Sequence, residues 1–319
     1  MWRPLAGVVL IGLSSIMHCI AQGRVVLERP VFSKHLDANR MVRIYLPAGY
    51  ESAPERRYPV LYLHDGQNAF TTVGTNVAFG WGNWELDKTV NELCAAGRMR
   101  EIIMVAVDCS AERYLDYRGP ANPETGSGLT GTTQASLTPG GRSRYERYSM
   151  FLIEELKPMV DREYRTLGEA ANTGVLGSSM GGICSIALAW EHPDIFGNAA
   201  SLSGAFQVER SYFLTKVLRA YRGPPKPVRI YLDSGTCDFS GGDDGRRRTD
   251  EVAGALRRIG WKEGVDLRHF VDLRPLAESQ LEQTGLRRDK WKEAKTSQHN
   301  EFYWRLRAWR ALEFLFPPK

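Results

Sequence analysis

The chain has 319 residues, 43% hydrophobic and 25% charged, with a formal net charge of +5. These values describe an ordinary folded globular protein, and no repeat of fixed period or low-complexity linker divides it. The basic runs, Arg246-Arg247-Arg248 and Arg287-Arg288 with Lys290 and Lys292, are interleaved with acids and read as solvated helix faces, not as a nucleic-acid surface.

The N-terminus comes first. Met1 to Pro4 carries a single charge, Arg3, and Leu5 to Met17 is almost purely apolar. Cys19 and Ala21 then put small residues at positions −3 and −1 of a cut after Ala21. Residues 1–21 are therefore expected to be a secretory signal peptide, and 22–319 a single exported domain, secreted or periplasmic. A retained anchor would be short for a membrane span. Lipidation at Cys19 is the other alternative, but Ile16-Met17-His18 lacks small residues before the cysteine. Cleavage removes Arg3 and no acid, taking the charge from +5 to +4. Four cysteines remain, Cys94, Cys109, Cys184 and Cys237, too widely spaced for a small disulfide scaffold, and their pairing is left open. No later segment approaches the ~18 consecutive apolar residues of a membrane span.

Two strands are predicted at the start of the mature chain, Arg24–Phe32 and Met41–Leu46, joined by the turn-prone Asp37-Ala38-Asn39. Apolar strands and amphipathic helices then alternate, the pattern of a mostly parallel sheet covered on both faces. The strands are placed at Pro59–Leu63, Ile102–Val107, Asn172–Leu176, Ala199–Leu202, Val228–Leu232 and Leu267–Val271. The helices are placed near Trp84–Ala95, Arg144–Glu163, Met180–Glu191, Arg210–Ala220, Arg248–Ile259 and Phe302–Phe316. Two stretches break the rhythm. Asp116–Arg142 is rich in Gly, Ser, Thr and Pro and reads as a long loop; Leu273–Ser297 is charged and helix-prone. Both follow the C-terminal ends of strands, where ligands bind in open α/β sheets.

Gly177-Ser178-Ser179-Met180-Gly181 fits G-x-S-x-G, between an apolar strand and a helical run. That context implies a sharp strand-to-helix turn that exposes a nucleophilic serine, in an α/β-hydrolase fold with antiparallel N-terminal strands. The competing reading is a helix cap. Ser178 lacks glycine at both −2 and +2, so Ser179 is the candidate. A serine hydroxyl needs a histidine base and a carboxylate to orient that base, in the chain order Ser, acid, His. His18 lies in the signal segment, His35, His64 and His192 come too early, and His269 lies inside a strand. His299, in a polar loop before the last helix, remains. The acid should follow Val228–Leu232, and Asp233, Asp238, Asp243 and Asp244 all qualify by order. Asp238 is preferred because Gly235 lets the chain turn away from the sheet. The oxyanion donors are expected from the backbone amides of Met180 and of Gln67, in the turn His64–Asn68. This chemistry requires no cofactor or metal, and the aspartates lack the spacing of a calcium loop.

Several segments carry a family resemblance. Tyr58-Pro59-Val60-Leu61-Tyr62-Leu63-His64-Asp65-Gly66-Gln67-Asn68, Gly177 to Gly182, Glu191-His192-Pro193-Asp194-Ile195-Phe196-Gly197, and His299-Asn300-Glu301 with Trp304 are the main ones. Glu154-Glu155-Leu156-Lys157-Pro158 adds to them. In these the chain resembles the esterase D-like, carbohydrate esterase family 1 group of α/β-hydrolases, which includes feruloyl, acetylxylan and siderophore esterases and mycolyltransferases. The resemblance implies a serine carboxylic ester hydrolase using Ser179, Asp238 and His299, with the Gln67 and Met180 amides as oxyanion hole. Export together with the resemblance points to a feruloylated or acetylated polysaccharide fragment. Trp81 and Trp84 are then candidates for a sugar- or aryl-stacking surface, against the alternative that they pack in the core. The other readings are a siderophore esterase with a basic pocket, a sugar acyltransferase, and a catalytically silent hydrolase fold used for binding.

Overall fold

The computed structural model describes residues 22–121 and 141–318. The expected signal peptide and most of the expected 116–142 loop lie outside the described residues.

Eight strands form one sheet in the order β1-β2-β4-β3-β5-β6-β7-β8. In chain order they are β1 (Arg24–Ser33), β2 (Ala38–Leu46), β3 (Val60–His64), β4 (Ile103–Val107), β5 (Thr173–Ser178), β6 (Asn198–Leu202), β7 (Arg229–Ser234) and β8 (Leu267–Val271). β1 pairs antiparallel with β2, and β2 antiparallel with β4; every other neighbour pair is parallel. Burial follows that division. β3, β4, β5 and β6 are buried at every residue, as strands covered on both faces must be, whereas β1 at the antiparallel edge alternates between more and less exposed residues. Successive β3 side chains enter opposite layers: Val60 and Tyr62 join one apolar cluster, Leu61 and Leu63 the other.

The helices are α1 (Leu86–Ala95), α2 (Arg113–Tyr117), α3 (Arg144–Met150), α4 (Lys157–Glu163), α5 (Met180–Glu191), α6 (Val208–Tyr212), α7 (Arg246–Ile259), α8 (Glu278–Leu281), α9 (Trp291–Ala294) and α10 (Glu301–Leu315). α1 and α10 cover one face of the sheet through Leu86, Val90, Trp304, Ala308 and Leu312. α3, α5 and α7 cover the other through Tyr148, Ile183 and Leu256. α5 is buried along all but its last residue, because it lies at the centre of that layer. α3 and α4 are one helical run, as the sequence predicts, but Phe151–Leu156 between them is a wide π turn. Pro158 follows directly; it has no N–H and its ring crowds the preceding turn, which a wider turn relieves.

Two expectations change, at Asp116 and at Arg210–Ala220, while the helix-prone reading of 273–297 holds. Asp116 does not open a loop: it lies in α2, fully buried, between Arg40 at 2.9 Å and Arg144 at 2.7 Å. The 273–297 insertion is a series of short helical turns including α8 and α9, packed onto Trp81 through Leu281, Leu286 and Ala294. The helix expected at Arg210–Ala220 starts irregularly, since Glu209, Arg210 and Ser211 all have positive φ before the π-helical run Phe213–Leu218.

Candidate active site

Ser179 is the single residue between β5 and α5, with φ 52° and ψ −116°. For a residue with a Cβ this conformation costs on the order of 1–3 kcal/mol, so neighbouring structure must hold it. The neighbours are visible. The Ser179 amide donates to the Leu202 carbonyl at 2.9 Å, and its carbonyl accepts from the amides of Gly182 (3.1 Å) and Ala205 (2.9 Å). The glycines are required by contact: a Cβ at Gly177 would sit 2.5 Å from the Gly181 carbonyl carbon, and one at Gly182 2.5 Å from Ser201 Oγ.

His299 reaches this turn from the loop before α10. Its Nε2 lies 3.0 Å from Ser179 Oγ, and its Nδ1 lies 2.6 Å from Asp244 Oδ1. With the proton on Nδ1, the ring donates to the carboxylate and presents Nε2 to the serine, the arrangement a general base needs. The His299 loop is locked from both sides. Asn300 caps α10 by accepting from the Tyr303 amide at 3.2 Å. The buried Gln298 accepts from the Thr236 amide at 2.7 Å and donates through its own amide to the Cys237 carbonyl at 2.9 Å.

The acid is where the sequence reading needs correction. Asp238 does not meet His299. Its Oδ1 accepts from the amides of Ser240 and Gly242, both at 2.8 Å, and from Ser240 Oγ at 2.7 Å, so it organises an exposed turn. The chain continues through that turn and re-enters the protein at Asp244, which is fully buried with φ 56°. Its second oxygen accepts from Ser203 Oγ at 2.7 Å and from the Gly235 amide. Gly235 therefore does permit a turn towards the histidine, but the carboxylate delivered is nine residues on. Asp233 is also buried and faces Arg307 at 3.2 Å; burial pushes its carboxyl up to about 6. His269 lies in β8, 3.2 Å from Asp250, away from this chain of contacts.

The expected oxyanion donors are both available. Met180 opens α5, and Gln67 lies in the tight turn Gly66–Asn68 after β3. Neither amide has an acceptor among the described residues. The turn is held by its side chains: Gln67 Oε1 accepts from the Cys109 amide at 3.0 Å, and Asn68 Nδ2 donates to Glu301 Oε1 at 3.1 Å. Asp65, at φ 56°, receives a two-pronged ion pair from Arg113 at 2.7 Å and 2.7 Å. Behind it the buried His64 meets Tyr148 Oη at 2.9 Å, and burial lowers its imidazole to about 4. His64 is thus neutral and packs the turn without adding charge. Glu301 carries the opposite perturbation: burial, then the nearby Asp65, raises its carboxyl to about 7.

Trp81 and Trp84 take the core alternative. Trp81 is 6% exposed, packed beneath the 281–294 turns, and Trp84 is 3% exposed with its ring 5.9 Å from that of Trp304. Neither offers a stacking face. An exposed aromatic does stand beside the histidine: Phe239, 74% exposed, has its ring 6.0 Å from that of His299 in an edge-on arrangement. Nothing in the Phe239 segment distinguishes it in sequence; only the fold brings the turn over the histidine. In the same loop, Thr236, Asp238 and Asp243 line a cavity of about 670 Å3 together with Gln207, Arg247 and Arg248. Among the described residues the four cysteines are unpaired, no group of three or more His, Cys, Asp or Glu is placed to hold a metal, and no helix is long and apolar enough to cross a membrane.

With this geometry in hand, comparison with known proteins is decisive at family level. Residues 33–271, about three quarters of the chain, match the family described as "Putative esterase". The chain belongs to this esterase family. Among curated relatives, this esterase is 26% identical to the uncharacterized protein YjcH of Bacillus subtilis over 54% of its own length, and spans only 59% of that relative. It is 27% identical to an endo-1,4-beta-xylanase/feruloyl esterase of Xylanibacter ruminicola over 50% of its length and 19% of the relative's. Among solved structures, a ferulic acid esterase superposes with TM-score 0.62 at 20% identity, covering 92% of this chain and 98% of that one. The enterobactin esterase FES of Shigella flexneri gives TM-score 0.62 at 18% identity, covering 92% and 58%. At these identities the structural likeness speaks for the fold, and the family match for membership of the esterase family.

Proposed function

We propose that this esterase is an exported serine hydrolase that cleaves aryl-acyl esters of carbohydrates, feruloyl esters foremost, through Ser179, His299 and Asp244. The observation that carries the reading is the unbroken run of contacts from Ser179 Oγ through His299 to the buried Asp244 carboxylate. His299 takes the serine proton as Oγ attacks the ester carbonyl, and the Gln67 and Met180 amides receive the developing oxyanion. Collapse breaks the C–O bond to the alcohol, which leaves with the proton from His299. Water, deprotonated by His299, then attacks the acyl-serine and frees the acid and Ser179.

Two observations support the substrate class. Phe239 presents an exposed ring edge-on to the catalytic histidine, a suitable contact for an aromatic acyl group. The similarity to a relative described as a xylanase/feruloyl esterase agrees with it. Export rests on the composition of residues 1–21.

The test is a rate panel on the mature domain: methyl ferulate, acetylated xylo-oligosaccharide, an enterobactin-type triester and p-nitrophenyl acetate. Methyl ferulate should give the highest kcat/KM of the natural-type esters, and Ser179→Ala should abolish every activity. Faster cleavage of the triester than of both carbohydrate-type esters would reject the substrate assignment.

A further inference from the structure

Ser203 stands just past β6 with φ 47°, a second serine in a left-handed conformation at the C-terminal edge of the sheet. Its hydroxyl is fully committed. It donates to Asp244 Oδ2 at 2.7 Å and accepts from Trp304 Nε1 at 3.0 Å and Arg307 Nη2 at 2.8 Å. Its amide donates to the Asp233 carbonyl at 2.9 Å, which fixes the backbone in place.

Arg307 is the other unusual group. It is 3% exposed, on the inner side of α10, and faces three carboxylates: Asp233 at 3.2 Å, Asp244 at 3.8 Å and Asp272 at 3.8 Å. A buried cation surrounded in this way must be compensated, and Asp233 is its nearest carboxylate. Asp244 is held further off, beyond direct hydrogen-bond reach, with the Ser203 hydroxyl between. If Arg307 paired tightly with Asp244, it would compete with His299 for the carboxylate. Through Ser203 it polarises the hydroxyl that donates to Oδ2 and leaves Oδ1 for the imidazole.

We infer that Ser203 is a positioning residue for catalysis, linking Arg307 to Asp244 so that the carboxylate stays aimed at His299. The inference rests on the Ser179–His299–Asp244 reading. Trp304 completes the device: it donates to Ser203 Oγ and its ring lies 5.0 Å from that of His299, so one side chain braces both partners of the Asp244 carboxylate. The positive φ matters here, because it turns the hydroxyl inwards beneath the acid loop.

The test uses Ser203→Ala and Ser203→Gly in the mature domain, with the kcat/KM pH profile for p-nitrophenyl acetate and a thermal melt. Ser203→Gly accepts the positive φ without strain, so it remains informative should Ser203→Ala fold poorly. Loss of a hydrogen bond to a charged group is expected to lower kcat about tenfold or more, with KM changed by less than about twofold. The acid limb should move to higher pH, because an acid deprived of its donor holds the imidazolium more tightly. A folded Ser203→Gly with wild-type kcat and an unmoved acid limb would overturn the inference. Inactivity of Asp244→Asn alongside it would show that the triad reading survives that result; activity of Asp244→Asn would remove both.

Discussion

Asp244 Oδ1 sits 2.6 Å from His299 Nδ1, although 55 residues and a helical insertion separate them in the chain. The contact forms because Gln298 ties the histidine loop to the Thr236-Cys237 backbone, which begins the loop that ends in Asp244. Replacing Asp244 by Asn should therefore cost on the order of 10³- to 10⁴-fold in kcat, since the amide favours the wrong imidazole tautomer. Asp238→Asn should keep kcat within about threefold of wild type, with at most a small loss of stability from the turn it organises. Steady-state rates with p-nitrophenyl acetate decide between the two aspartates, and a greater loss in Asp238→Asn would refute the assignment.

Phe239 offers a separate handle on substrate choice. Truncation to Ala removes an exposed ring and leaves the triad contacts in place. Loss of one aromatic contact, about 0.5–1.5 kcal/mol, corresponds to about two- to tenfold in kcat/KM. That decrease is expected for methyl ferulate and not for an acetylated oligosaccharide. Equal losses on both substrates would mean that Phe239 shapes the loop and does not touch the acyl group.

The oxyanion turn tolerates little movement. A Cβ at Gly66 would lie 2.7 Å from the Ala106 carbonyl carbon and 2.7 Å from the Val107 amide nitrogen, both backbone atoms of β4. Gly66→Ala must therefore push the Gln67 amide away from the serine. We expect a loss of about 1–3 kcal/mol in chemical denaturation and a fall in kcat larger than the rise in KM. Normal kinetics in this variant would argue against Gln67 as an oxyanion donor.

Glu301 gives a pH-dependent prediction whose sign follows from linkage. Its carboxyl stands at about 7 in the fold against an ordinary 4.5, so the folded chain holds a proton there that the unfolded chain has lost. Its contribution to stability falls as pH rises from about 4.5 through about 7. His64, lowered from 6.5 to about 4, works in the opposite direction over much of the same window and masks the effect in the wild type. Glu301→Gln removes one of the two. The stability of this variant relative to wild type should climb between about pH 4.5 and pH 7 and level off above; a flat difference across urea titrations at several pH values would contradict it.

Much of the architecture was legible because its causes are local. Strands such as Ile103–Val107 read as apolar runs because both faces are covered, and the glycines around Ser179 announce a turn too tight for a Cβ. The acid was not legible, for a physical reason. Asp238 and Asp244 lie six residues apart in one polar segment, and what separates them is burial, set by β6 and α10. A hint lay in Asp243-Asp244-Gly245 directly before a helix, where a chain leaving a surface turn has to re-enter the core. Trp81 and Trp84 stayed open between stacking surface and core for a related reason: the turns that cover Trp81 come from residues 281–294, and the ring beside Trp84 is that of Trp304.

The loop from Gly235 to Gly245 holds both Phe239, the ring beside the histidine, and Asp244, the acid beneath it. On the proposed assignment, recognition and reactivity share a single loop. A lineage adjusting its acyl preference by lengthening or shortening this segment would retune its catalytic base in the same step, whereas point changes at the exposed tip leave the anchor untouched. Variation in specificity should therefore accumulate as substitutions near position 239, and insertions should be tolerated elsewhere on the rim.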